Sequence, residues 1–232
     1  ARSKSSVSSP LGDCTHRMAS MCKRRRTLAL LVRTGSKRSD TVVLMPRRQN
    51  VGRKERILLP YETLRLERRD KGIAWIIIDH PPANAINERL MEELEQAADE
   101  LEADRGVRVV VIASAHPKTF LAGADVKDMI QRGSQFAGNE AGIAEQSARM
   151  QRCFDRFATM PKPVIAAING YALGGGCELA LACDFRIMGG GKIGLTEVSL
   201  GLIPGAGGTQ RLTRLVGRAK AAELIFLAKR LD

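Results

Sequence analysis

Two glutamates and a run of glycines carry the chemistry on offer in this chain. Gly174, Gly175 and Gly176 stand together and run straight into an apolar segment of helical character, CELALA. Glycines at that point permit backbone dihedrals that a Cβ forbids, and they let a ligand approach the main chain closely. The amides that open the following helix lack intrahelical partners and face a partial positive charge, which suits an anion. Glu178 falls in the first turn of that helix. Glu197 follows nineteen positions later, beyond a short strand-like segment and a second glycine cluster. A main-chain corner that stabilises an anion, with two acids beside it, is suited to proton transfer. Each acid also has a plainer alternative: Glu178 as a carboxylate stabilising a helix N-terminus, Glu197 as a solvated loop acid.

The elements that must position these residues follow from periodicity. Order is expected to begin near Leu58. Residues 62–69 alternate and residues 72–79 (GIAWIIID) form a β-branched run, so the two predict a hairpin around Asp70, Lys71 and Gly72. Asn87 is placed to cap a helix whose apolar positions Leu90, Leu94, Ala97, Ala98 and Leu101 keep helical spacing, with Gly106 past its end. The continuous apolar runs at 107–114 and 163–170 predict buried strands, and the second delivers the chain to the triple glycine. Asp125 can cap a short helix, residues 132–142 read as a loop, and Ile143, Met150, Phe154 and Phe157 share one face of a further helix. After a helix at 177–183, FRIM and KIGL predict short strands, and residues 207–216 and 218–229 predict helices. No internal sequence repeat is present. Strands alternating with helices predict α/β packing. A dinucleotide fold is poorly supported, since neither GGGCEL nor GAGGTQ fits G-x-G-x-x-G in a strand–turn–helix setting and no GK[ST] marks a phosphate loop.

Charge separates the chain into two parts. The net charge is +12, and residues 1–56 hold all of that excess, with fifteen Lys and Arg against Asp13, Asp40 and Glu55. The remaining residues balance, 22 basic against 22 acidic. The basic balance therefore says nothing about the ligand of the main domain. Residues 1–57 are expected to be a disordered leader, because an Arg- and Ser-rich segment without apolar periodicity buries too little surface to offset chain entropy. Three roles stay open for it: upstream sequence outside the working protein, an organelle transit peptide, or a nucleic-acid-binding arm. Its apolar stretch between basic residues, TLALLV, is too short for a membrane span.

Five cysteines (Cys14, Cys22, Cys153, Cys177, Cys183) form no C-x-x-C pair and no metal-ligand spacing with His16, His80 or His116. They read as structural thiols of a reducing compartment, and no metal site is expected. Cys177, adjacent to Glu178, is a conceivable nucleophile, although no histidine lies near it in sequence to activate it.

With these residues in view, the chain closely resembles the crotonase (enoyl-CoA hydratase/isomerase) family. The matching parts are AGAD at 122–125, PKPVIAAINGYALGGGCELALACD at 161–184 and EVSLGLIPGAGGTQRL at 197–212, in that order. The resemblance covers roughly residues 60–232. It implies an α/β fold, a spiral of ββα units with two nearly perpendicular sheets and outer helices, spanning residues 58–232 as an acyl-CoA-binding core. It also implies an oxyanion hole made by the amides of Ala124 and Gly175, and catalytic roles for Glu178 (water activation) and Glu197 (proton delivery). Ala122, Gly123, Asp125 and Lys127 fall in the segment that resembles the family's CoA-binding loop, Ala83 and Ala85 in the segment that runs along the pantetheine, and Gly174 beside the oxyanion hole.

The activity implied is hydration of a 2-enoyl-CoA to a 3-hydroxyacyl-CoA in fatty-acid or branched-chain acyl-CoA breakdown. Enoyl-CoA isomerase and methylglutaconyl-CoA hydratase are the alternatives within the class, and an RNA-binding relative using the basic leader is the alternative outside it. No cofactor is implied, since coenzyme A is part of the substrate. The expected assembly is a homotrimer or hexamer, without nucleic acid or membrane span. The expected location is the cytoplasm, or the mitochondrial matrix if the leader is a transit peptide. Thr196 departs from the proline that many members carry before the second glutamate, and the interval between the glutamates is about one residue shorter than in common mitochondrial hydratases. The family continues beyond KRLD with a helical part that completes the acyl pocket, so the sequence is expected to be C-terminally truncated.

Overall fold

The computed structural model describes residues 28–31, 42–45, 61–129 and 140–232. The chain divides into two units, residues 1–58 and 59–232. In the first, strands β1 (Leu28–Leu31) and β2 (Val42–Met45) pair antiparallel. These strands are the apolar quartets LALL and VVLM; the rest of residues 1–57, on which the expectation of a disordered leader falls, lies outside the described residues.

In the second unit, β3 (Leu64–Arg69) and β4 (Ile73–Ile78) form the expected hairpin, antiparallel from Leu64↔Ile78 to Arg69↔Ile73. Lys71 takes the tight turn in a left-handed conformation (φ 62°). From β4 onward every pairing between named strands is parallel. β4 pairs with β6 (Val109–Ser114), β6 with β9 (Val164–Ile168) and β9 with β11 (Phe185–Met188), giving a five-stranded sheet in the order β11-β9-β6-β4-β3. A three-stranded sheet runs β12 (Ile193–Gly194), β10 (Tyr171–Leu173), β7 (Thr119–Leu121), and β5 (Ala85–Ile86) pairs with β8 (Gly123–Ala124).

Among the described residues the longer helices are α1 (Glu88–Ala103), α2 (Glu140–Ala158), α3 (Gly175–Ala182), α4 (Gly208–Val216) and α5 (Arg218–Phe226). In chain order, a strand of the large sheet is followed by one or two short strands of the small sheets and then a helix: β4-β5-α1, β6-β7-β8-α2, β9-β10-α3. This is the ββα spiral anticipated from the resemblance, a structural repeat in a chain whose sequence does not repeat.

Local rules set most boundaries. The Asn87 side chain accepts from Leu90 N at 2.9 Å and starts α1, whose predicted apolar stripe is fully buried at all five positions. Phe120, Phe154 and Phe157 are the largest buried side chains, each contributing about 1.5–3 kcal/mol by leaving water. Two boundaries differ from expectation. Helix α2 begins at Glu140, inside the predicted loop, and absorbs Gly142. A helical glycine costs about 1 kcal/mol, less than the burial of Phe154 and Phe157 returns. Helix α3 begins at Gly175, two residues early, because its glycines are needed for packing: a Cβ on Gly176 would stand 2.2 Å from the Leu121 carbonyl oxygen.

Candidate active site

Strand β10 ends at Leu173, and Gly174 turns the chain into α3 with φ 53°, a conformation that side-chain-bearing residues rarely adopt. Its N–H donates to the Gly194 carbonyl at 2.9 Å, which ties the corner to β12. Gly175 is the first residue of α3, so its amide has no partner within the helix. That amide meets the β8 segment: an added Cβ on Gly123 would lie 3.6 Å from Gly175 N, and one on Gly175 would lie 3.9 Å from Ala124 N. The amides of Ala124 and Gly175, remote in sequence, therefore come to one place. Strand β5 braces the meeting point, with Ile86 paired to Ala124 and the Ile86 Cδ1 methyl 2.7 Å from a Cβ built on Gly175.

Both acids lie against this corner in different surroundings. Glu178 is only 2 % exposed, and its Oε1 accepts from the amides of Ala206 and Gly208, each at 2.8 Å. Burial pushes its carboxyl up to about 7; the Glu197 charge adds to the rise, while the two amides and Arg211 oppose it. Gly208 has to be glycine for this contact, since a Cβ there would stand 2.9 Å from both Cγ and Oε1 of Glu178. Glu197 opens a 3₁₀ turn, Glu197–Leu200, and its Oε1 is 3.4 Å from a Cβ built on Gly174. Both Glu197 oxygens are inaccessible to water and lack a hydrogen-bond partner among the described residues. Burial pushes this carboxyl up, and the nearby amides of Glu197 itself and Thr196 only partly offset that. A solvated loop acid would show neither feature. One acid is thus held by two donors and ionisable near neutrality, and the other has oxygens closed off from water and a pKa raised by burial.

The remaining candidates sort by position. Ala85 pairs with Gly123 beside the amide corner, and Gly174 forms its edge. Ala122, exposed, donates to the Asn84 carbonyl at 3.3 Å. Asp125 uses its Oδ1 to accept from the amides of Lys127 (2.9 Å) and Asp128 (3.2 Å), capping the helical turn at 126–129 as expected. Ala83 is half-buried and Lys127 exposed. Cys177 is 4 % exposed, and burial together with the charges of Glu197 and Glu178 pushes its thiol well above the usual range. It stays protonated, which argues against a nucleophile. Among the described residues no group of three His, Cys, Asp or Glu is placed to hold a metal.

Reasoning from the sequence missed the groups that hold Glu178. Ala206 and Gly208 act through their amides, which no side-chain pattern announces. The glycine cluster at 205–208 was the available signal, and it marks a loop packed too tightly for side chains.

Comparison with known proteins bears on this geometry. The sequence profile described as enoyl-CoA hydratase/isomerase matches residues 68–232. The chain belongs to the enoyl-CoA hydratase/isomerase family. It is 48 % identical over 159 residues to a probable enoyl-CoA hydratase of Bacillus subtilis, covering 67 % of this chain and 58 % of that protein. It is 42 % identical over 169 residues to the mitochondrial methylglutaconyl-CoA hydratase of mouse, covering 72 % of this chain and 52 % of the relative. The solved structure of an enoyl-CoA hydratase from Geobacillus kaustophilus superposes with a TM-score of 0.68 at 34 % identity, over 74 % of this chain and 63 % of that one. The chain thus spans between half and two thirds of the length of these family members. Its architecture is the crotonase-type α/β fold that the family shares. Among the described residues no helix is long and apolar enough to cross a membrane.

Proposed function

We propose that the protein of which this chain forms the catalytic core hydrates a 2-enoyl-CoA thioester to a 3-hydroxyacyl-CoA. The observation that carries this reading is the pair of buried carboxyls in unlike surroundings beside two convergent amides. The thioester carbonyl oxygen accepts from Ala124 N–H and Gly175 N–H. Ionised Glu178 takes a proton from water as the water oxygen bonds to Cβ. The C=C electron pair moves toward the carbonyl, giving an enolate whose oxygen the two amides hold. Protonated Glu197 then delivers its proton to Cα, and transfer of the proton on Glu178 to Glu197 restores the starting state. Each amide donor is worth about 3–4 kcal/mol in such a transition state. Two together exceed the ~10²–10⁴-fold typical of one general acid or base, so the amides define the acyl-CoA chemistry and the acids select the reaction.

A double-bond isomerase shuttles one proton and needs one glutamate, so two acids at the corner favour hydration. Ala83, Ala85, Ala122, Gly123, Asp125, Lys127 and Gly174 are proposed to contact the CoA and pantetheine. Coenzyme A enters as part of the substrate and no further cofactor is used. The likeness to a methylglutaconyl-CoA hydratase leaves a branched acyl group as the second reading, which chromatography of products from a substrate panel decides. A homotrimer or hexamer is the proposed assembly. The cytoplasm is the proposed location, or the mitochondrial matrix if residues 1–57 direct a fused reporter there. A role for that basic segment in RNA binding predicts salt-sensitive affinity that is lost on its removal; aromatic residues, which would stack on bases, are only 4 % of the chain.

The direct test follows absorbance loss from crotonyl-CoA. Glu178→Gln and Glu197→Gln are each expected to lower kcat by ~10²–10⁴-fold. Near-normal hydration by Glu178→Gln overturns the assignment.

A further inference from the structure

The loop that grips Glu178 is itself gripped from its other side by one face of α2. Ser147, Gln151 and Asp155 recur at intervals of four residues and so share a face of that helix. The Ser147 hydroxyl donates to the Gly205 carbonyl at 2.8 Å, and the Gln151 side-chain amide donates to the same oxygen at 2.7 Å. Asp155 forms an ion pair with Arg211 of α4, and Arg211 in turn donates from Nη1 to the Ala206 carbonyl at 2.8 Å. The Arg211 side chain is 13 % exposed and lies over Gly207, where an added Cβ would stand 2.4 Å from Nη1. The carbonyls of residues 205 and 206 are thus fixed outward by α2 and Arg211. The amides of residues 206 and 208 point the opposite way, into the Glu178 carboxylate.

We infer that Ser147, Gln151 and the Asp155–Arg211 pair are positioning residues that set the orientation of Glu178 through the 205–208 loop. None of them touches the carboxylate by a hydrogen bond. The peptide planes couple them to it, because fixing the Gly205 carbonyl fixes the amide of Ala206 in the same rigid unit. The Ala206 carbonyl held by Arg211 shares its unit with the Gly207 amide, one peptide before the Gly208 amide that meets Glu178. Three interactions converge on two consecutive carbonyls of a loop rich in glycine, where the chain alone sets no conformation. A loop that needed only to be closed would not require the same carbonyl to be held twice from one helix face.

The inference rests on the hydratase reading for its kinetic consequence but not for its structural one, and the test separates the two. The charged and titratable groups that face Glu178 are Glu197, Arg211 and Cys177. Of these only Arg211 belongs to the clamp. In the full chain, Arg211→Met and the double variant Ser147→Ala/Gln151→Leu are compared with Arg214→Met. Arg214 lines the same surface cleft as Arg211 and supplies a charge-matched control outside the clamp. With ¹³C-labelled glutamate, the titration midpoint of the Glu178 carboxyl is expected to rise in both clamp variants, by about one pH unit, since the amides lose their aim. It is expected to stay at its wild-type value in Arg214→Met.

Crotonyl-CoA kinetics are expected to show kcat lowered about 10- to 100-fold, KM within twofold, and the acid limb of the pH profile moved upward with the carboxyl midpoint. Arg211→Lys, which keeps the charge but not the planar fork, is expected to restore the midpoint partly. Wild-type midpoints and pH profiles in both clamp variants overturn the inference. Inactivity of the wild-type protein toward enoyl-CoA defeats the hydratase reading, and the carboxyl titration then still decides the clamp. A clamp variant that melts early but leaves the midpoint unchanged in its folded state also counts against it.

Discussion

Two buried carboxylates occupy helices at opposite ends of the domain's logic. Glu93 in α1 is 1 % exposed and Glu178 in α3 is 2 % exposed, so water is excluded from both alike. At Glu93, burial raises the pKa, but the Thr63 hydroxyl (2.7 Å), the amides of Glu62 and Thr63 (2.8 Å each) and the Arg89 charge outweigh it, and the net shift is downward. At Glu178 a deeper burial of the carboxyl meets two amides on one oxygen and a second acid nearby, and the net shift is upward, to about 7. Burial acts in the same direction in both places, and more strongly on the deeper carboxyl of Glu178. The depth of the carboxyl, the number of donors and the sign of the neighbouring charge together decide whether the acid becomes an ionised strut or a group that exchanges its proton near neutral pH.

The sharpest way to break this contrast is to remove each charge without changing shape. Glu178→Gln is expected to abolish most hydration while leaving the fold intact. Glu93→Gln is expected to leave kcat unchanged, and a substantial loss of kcat there would show that the two acids are not functionally separate. The pH dependence of stability should then oppose the two residues in sign. Glu178 is raised from 4.5 to about 7, so between those values the native state holds a proton that the unfolded chain has released. Stability should fall as pH rises through that window, by about 3 kcal/mol, and the slope should vanish in Glu178→Gln.

Glu93 is lowered, so its stabilising contribution is complete above the unfolded value of 4.5 and is lost as pH falls through its native pKa. Urea unfolding at a series of pH values, on the wild type and both variants, measures the two slopes; equal signs would remove the distinction. At neutral pH, Glu93→Gln should itself cost about 2–3 kcal/mol, since donors that served a charge are left with a poorer acceptor. The smallest change is Gly208→Ala. Its Cβ would press on Cγ and Oε1 of Glu178 and on Leu195, and overpacking of this kind costs about 1–3 kcal/mol. Thermal melting measures that cost, and a lower kcat with unchanged KM would confirm that the pressure falls on the carboxylate.

How much of this was legible in the sequence depends on distance along the chain. The cap of α1 was readable because Asn87 and Leu90 are three residues apart. Its apolar stripe was readable because helical spacing is local. The hairpin at Asp70–Gly72 followed from a short turn between an alternating segment and a β-branched run. Strands β5 and β8 have two residues each, too few for alternation to register, yet they bring Ile86 and Ala124 to Gly175. That meeting was reachable only through the family resemblance, since no periodicity links residues 124 and 175. The partners of Glu178 lie 28 and 30 residues downstream and act through backbone amides. Side-chain identity at Ala206 carries no trace of its role, and at Gly208 the trace is only the absence of a Cβ. The opposite shifts of Glu93 and Glu178 were beyond sequence for the same reason, because each depends on donors supplied by another element.

The dependence of α3 on residues 206 and 208 has a consequence for the order of events during synthesis. A chain leaves the ribosome from its N-terminal end, so the helix bearing Glu178 emerges before the loop whose amides receive it. In that interval the nascent helix carries an acid with nothing to meet it, and packing the helix against β7 and β10 would strand a charge in an apolar interior. Protonation removes that charge, and an acid already biased toward its neutral form by burial makes it inexpensive. The poise that serves proton transfer in the finished protein would also lower the cost of closing the emerging chain over this residue before its partners have been made.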